Sequence, residues 1–131
     1  MMWLFSEDGF YSVVQHRSDE SKLLVRARVR DDLVRMVDLM FERVSESEIV
    51  ETPDADYPFR MIVLRSVWNR YLNMVLDTID YDNFKDRVHQ QGDRNRDRAL
   101  MQVWSVMNRL GQQSRRQAGE TQRGLFDEIT G

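Results

Sequence analysis

Arg26, Arg28 and Arg30, set at alternate positions, are the residues whose type and spacing point most directly to chemistry. On an extended strand a two-residue period sends all three to one face, and a row of guanidinium groups suits phosphate or carboxylate. Arg60, on a second predicted strand, joins the row if the two strands are neighbours. Tyr11, Tyr57 and Trp3 are candidate stacking planes beside it, as on sheet-surface RNA binders. The plainer account of the same residues has the arginines paired with nearby acids or solvated on an open sheet face.

A second group, Asp80, Tyr81, Asp82, Asn83, Lys85 and His89, gathers carboxylates, an amide, a phenol, an ammonium and an imidazole near a predicted helix break. Oxygen ligands on irregular backbone can hold Mg²⁺ or position a water. Two carboxylates from one turn rarely suffice, and helix capping by Asp82, with Tyr81 and Phe84 anchoring the bend, accounts for the same residues. His89 titrates in the range a general base needs, but neither a thiol nor an evident Ser or Asp orienter accompanies it. No metal and no cofactor is expected.

The elements that position these groups follow from periodicity. Met2 to Phe5 and Phe10 to His16 flank Ser6-Glu7-Asp8-Gly9, whose Asp-Gly step predicts a hairpin turn. Leu23 to Arg30 alternates apolar and cationic residues, which predicts a half-buried strand. Asp31 and Asp32 then mark the start of a helix carrying Leu33, Met36, Val37, Met40, Phe41 and Val44 on one stripe. Residues 45–58 are acidic and proline-bearing and read as a loop, with room for a short edge strand at Glu48 to Glu51. A strand at 59–65 and a helix at 67–79, capped by Ser66, come next. Leu100, Val103, Trp104, Met107 and Leu110 form a last stripe that ends at Gly111 as a C-cap and covers remaining core. Residues 113–131, with only Leu125, Phe126 and Ile129 as large apolar residues, read as a flexible polar tail.

Composition narrows the function classes. At 131 residues, with 41% hydrophobic and 31% charged residues, the chain is sized for one domain, placed at 1–112. It has no cysteine, so disulfides, thiolate metal sites and a cysteine nucleophile are excluded, and a cytoplasmic location is the default. The apolar start reaches Glu7 and Asp8 at once and reads as a strand, with no membrane segment anywhere. A net charge of −3 argues against broad nucleic-acid binding but leaves room for a local basic stripe. Met74 and Met101, off the main stripes, are candidates for a homodimer face.

The segments Gly9-Phe10-Tyr11-Ser12-Val13-Val14-Gln15, Leu24-Val25-Arg26-Ala27-Arg28-Val29-Arg30, Asp56-Tyr57-Pro58-Phe59-Arg60, Ile79-Asp80-Tyr81-Asp82-Asn83-Phe84-Lys85 and Val103-Trp104-Ser105-Val106-Met107 resemble those of short bacterial proteins of the conserved-hypothetical class, over about residues 2–110. The resemblance implies a compact domain, carries over no activity, and leaves the tail outside the pattern as a lineage-specific or phage-borne addition. The expected architecture is α+β: a small antiparallel sheet with helices packed on one face, as a ferredoxin-like sandwich, plus a C-terminal helix. The expected function is a non-enzymatic binding or regulatory protein offering an arginine-lined sheet face to an anionic partner, either an acidic protein surface or RNA. The alternatives are a phosphodiester-acting hydrolase or nuclease, with Arg26, Arg28, Asp82 and His89 in one cleft, and a phage-encoded inhibitor of a host system.

Overall fold

A computed structural model describes the backbone of residues 1–130 and the side chains of residues 1–124. Five strands, β1 (Met2–Ser6), β2 (Gly9–Gln15), β3 (Lys22–Ala27), β4 (Val50–Glu51) and β5 (Phe59–Leu64), form one antiparallel sheet in the order β1-β2-β3-β5-β4. Helices α1 (Arg30–Leu39) and α2 (Arg65–Asp77) accompany it, and α3 (Phe84–Gln90) and α4 (Arg94–Thr130) follow. The class is the α+β one expected. The connectivity is a three-strand meander followed by a helix and a second hairpin, whereas a ferredoxin-like sandwich sends the chain into a helix after its first strand. Short polar links at 7–8 and 16–21 force that difference, because strands so joined can only pair with each other.

The described chain divides at Tyr81 into two compact units, where the sequence reading draws one domain over 1–112. In the first, alternation decides which face of the sheet is buried. Tyr11 and Val13 of β2, Leu23, Val25 and Ala27 of β3, and Met61 and Val63 of β5 point inward. Leu33, Met36, Val37 and Met40 of α1 and Val67, Trp68 and Tyr71 of α2 meet them in one core. Each such aliphatic side chain contributes about 1.5–3 kcal/mol. Tyr11, Trp68 and Tyr71 make a buried aromatic triangle with centroids 5.0–5.8 Å apart. Helix α1 ends at Leu39, so Phe41, expected on the apolar stripe, lies beyond it and is exposed.

Helix α2 starts directly from β5, one residue before the expected Ser66 cap. Its first residue, Arg65, holds the β2–β3 link instead: its amide donates to the Ser21 carbonyl at 2.8 Å, and its guanidinium donates to the Glu20 carbonyl and to Gln15 Oε1.

The second unit begins at Asp82. Asn83 caps α3, its Oδ1 accepting from the Asp86 amide at 3.1 Å, in the place expected of Asp82. Gly92, at φ 80°, turns the chain out of α3 as a left-handed C-terminal residue. Helix α4 then runs through Gly111, where a stop was expected, to Thr130. A lone interior glycine costs a helix only about 1 kcal/mol, too little to end it. The side chains of Leu125, Phe126 and Ile129 lie outside the described residues.

Gly9 has a role that the hairpin signal did not indicate. The turn residues are Glu7 and Asp8, and Gly9 opens β2 without a left-handed φ. What Gly9 provides is space: a Cβ there would sit 2.6 Å from Cγ of the buried Asp32. Gly9→Ala is therefore expected to cost about 1–3 kcal/mol in urea-induced unfolding, the usual cost of overpacking. An unchanged midpoint would show that Asp32 can yield.

Candidate functional site

The face of the sheet away from α1 and α2 carries the alternate residues. In register across the strands lie Trp3, Ser12, Arg26, Arg60 and Val50, with Phe5 and Phe10 as one neighbouring pair and Val14, Leu24 and Ile62 as the neighbouring row. Much of this face is open: Trp3 is 56% exposed, Ile62 47% and Leu64 49%.

Arg26 and Arg60 face each other directly across β3 and β5, an arrangement that like charges disfavour. Two groups offset the repulsion. Arg26 donates to Ser12 Oγ at 2.9 Å and lies 4.9 Å from the centroid of the Tyr57 ring. Arg60 donates to the Tyr57 carbonyl at 3.1 Å. Arg28, past the end of β3, covers the same ring at 4.4 Å and donates to the Asp56 carbonyl at 2.9 Å. The loop 52–58, closed by the Thr52 amide on the Pro58 carbonyl, places Tyr57 among the three guanidinium groups. Among the described residues none of the three has a carboxylate partner, and Nε of both Arg26 and Arg60 is buried without a hydrogen-bond acceptor. A site with spare cationic donors, ringed by exposed apolar side chains, can take an anionic group at its centre and apolar groups around it.

Three expectations for this face are corrected. Arg30 leaves the row: β3 ends at Ala27, the two-residue period stops, and Arg30 begins α1 in an ion pair with Glu46 at 2.8 Å. Tyr11 is on the opposite face, fully buried, so it offers no stacking plane. Tyr57 is on the open face but buried beneath Arg26 and Arg28. Ile62 and Leu64 lie on this face with Arg60, as the alternation along the strand predicts, and the same alternation puts Phe5 and Phe10 there, two residues the sequence reading does not count among the candidates.

Behind the sheet lies a buried polar network. The Phe10 amide donates to Asp32 Oδ2 at 3.0 Å, Arg35 donates to Oδ1 of the same carboxylate and to the Asp8 carbonyl, and the Tyr11 hydroxyl donates to the Asp32 carbonyl at 2.7 Å. The Tyr71 hydroxyl donates to that of Tyr11 at 3.3 Å. Burial, reinforced by the neighbouring Tyr71, pushes the Tyr11 phenol far above its ordinary value, and burial pushes Tyr71 up to about 12. Both phenols stay protonated at neutral pH and act as fixed donors. Burial also raises Asp8, against the pull of Arg35.

The second candidate group is dispersed over different tasks. Asn83 is a cap, Lys85 lies 4.6 Å over the Trp104 ring, and His89 Nδ1 meets Asp97 Oδ2 at 2.9 Å on the surface. Asp97 is the carboxylate that local sequence around His89 did not suggest, supplied from the next helix. Among the described residues no three His, Cys, Asp or Glu side chains are grouped to hold a metal ion. Of the residues expected to share a catalytic cleft, Arg26 and Arg28 belong to the first unit and Asp82 and His89 to the second. Searches for related proteins are empty: no family model, no curated protein and no solved structure matches the chain.

The hydrogen bond to Asp97, with that residue's charge, raises His89 above its ordinary value. The stabilisation from this pair is thus fully present below about pH 6.5 and is lost as pH rises through the raised value. An NMR titration should show the His89 midpoint falling in Asp97→Asn. An unmoved midpoint would mean that the pair does not form in solution.

Proposed function

We propose that the protein is a non-catalytic binding protein whose open sheet face docks an apolar segment bearing acidic residues on a partner protein. The observation that carries this reading is the set of three guanidinium groups that have no carboxylate partner among the described residues, framed by exposed Trp3, Ile62 and Leu64. A charge-assisted hydrogen bond contributes about 1.5–3 kcal/mol where it is shielded, against about 0–1 kcal/mol for an exposed pair. The apolar surroundings supply the shielding. Arginine is also less strongly hydrated than lysine and suits such a site.

RNA fits the same face less well. Base stacking needs free ring faces, but Phe5 and Phe10 are stacked on each other at 4.4 Å, and the Tyr57 ring is covered by two guanidinium groups. Trp3 alone is well exposed, and the aliphatic Ile62 and Leu64 have nothing to offer a base. Among the described residues no helix is long and apolar enough to cross a membrane. The lack of cysteine suits a cytoplasmic partner.

The test is affinity capture from cell extract with the intact protein, Arg26→Glu and Trp3→Ala, beside anisotropy measurements with short single-stranded RNA. Arg26→Glu places a carboxylate opposite Arg60 and should fold. A partner retained by the intact protein and reduced roughly tenfold or more in each variant, about 1.4 kcal/mol, with no salt-dependent RNA binding, is the expected result. Retention unaffected by either variant would remove the sheet face from the account, and RNA binding lost in Arg26→Glu would replace the protein partner by nucleic acid.

A further inference from the structure

Three guanidinium groups of the open sheet face converge on one residue. Arg26 and Arg28 lie 4.9 and 4.4 Å from the centroid of the Tyr57 ring, and Arg60 donates to the Tyr57 carbonyl at 3.1 Å. Arg26 and Arg60 are moreover direct cross-strand partners, about 4.5–5.5 Å apart at Cα. The three cations therefore share a single site.

Every acceptor that the protein itself offers them is neutral: Ser12 Oγ, Met1 Sδ and the carbonyls of Asp56 and Tyr57. Nε of Arg26 and Nε of Arg60 are buried and have no acceptor, a state in which buried donors are seldom left. An incoming oxygen toward which the side chains turn would relieve it.

The charge count says which anion supplies that oxygen. A carboxylate or a phosphodiester brings one negative charge to three cations, whereas a phosphate monoester brings about 1.5 to 2 at neutral pH, with three acceptor oxygens. The geometry agrees. Tetrahedrally arranged oxygens can accept from guanidinium groups that approach from different strands, whereas a planar carboxylate is matched by a single fork. Two carboxylates crowded into the same space would repel each other. We infer that the acidic group this face takes from its partner is a phosphate monoester, the side chain of a phosphorylated serine, threonine or tyrosine, held between Arg26 and Arg60 with the exposed Arg28 at the rim. The inference rests on the sheet face being a docking surface and names the group docked there.

Two measurements on the full chain test it. The first is an NMR titration with N-acetyl-O-phosphoserine amide and with N-acetylglutamate amide at matched ionic strength. Saturable shifts at the Arg26, Tyr57 and Arg60 amides are expected, with the phosphate at least roughly tenfold the tighter ligand, about 1.4 kcal/mol. Arg60→Gln, which relieves the like-charge pair and should fold, should remove that preference. The second is capture from cell extract with and without prior phosphatase treatment, in which the retained partner should be lost after treatment. Shifts confined to other parts of the molecule, equal affinity for the two probes, or retention indifferent to phosphatase would overturn the inference. If such retention is still lost in Arg26→Glu, the docking face itself stands, and if it survives that substitution too, both fall.

Discussion

The buried carboxylate of Asp32 fixes the first unit. It sits in the first turn of α1, where the helix dipole favours an anion, and it accepts from the Phe10 amide and from Arg35. Its backbone carbonyl takes the Tyr11 hydroxyl, which in turn accepts from Tyr71 on α2. One residue thus ties the hairpin, both helices and the Asp8 turn together. A buried carboxylate is tolerated only with such a set of donors, and removal of any one leaves a buried polar group unpaired at about 1–3 kcal/mol. Gly9 is the condition for it, because no larger residue leaves room for the carboxylate.

That anchor also sets what the other face displays. With Tyr11 held inward, the two-residue period of β2 sends Phe10 and Ser12 outward, and the ladders carry the same parity to Trp3, Arg26, Arg60 and Ile62. A slip of one residue would bury the arginines and expose Val25 and Met61. The open face is therefore a consequence of the core. Among the described residues its cations have no carboxylate partner, and two acids of the preceding segment are engaged elsewhere: Glu46 pairs with Arg30 and Glu48 closes a capping box with Ser45. The Asp56 carbonyl receives Arg28.

The parts of this arrangement legible in the sequence are those governed by local periodicity. Alternation over Leu23 to Ala27 and Phe59 to Leu64 identified two central strands and the outward placing of Arg26 and Arg60, and spacing identified the inward face of α1. Residues whose role is set by distant partners were not legible. Gly9 signalled a turn but serves Asp32, 23 positions away. Tyr11 signalled a stacking surface but is held by Asp32 and Tyr71. Arg30 continued the alternate spacing past the point where β3 gives way to α1. For α4 the apolar stripe was read correctly as a stripe, but a period does not say what covers it: Met107 and Leu110 have the spacing of core residues and are exposed.

The sheet has one buried face and one open face, divided residue by residue along β5. Solvent paramagnetic relaxation enhancement with a neutral soluble gadolinium complex tests it most directly on assigned methyl groups. Strong enhancement is expected at Ile62 and Leu64 and little at Met61 and Val63, an alternation along a single strand. Equal protection of all four would contradict it, because the face would then be covered, and equal enhancement would contradict the packing of α1 and α2 on the sheet.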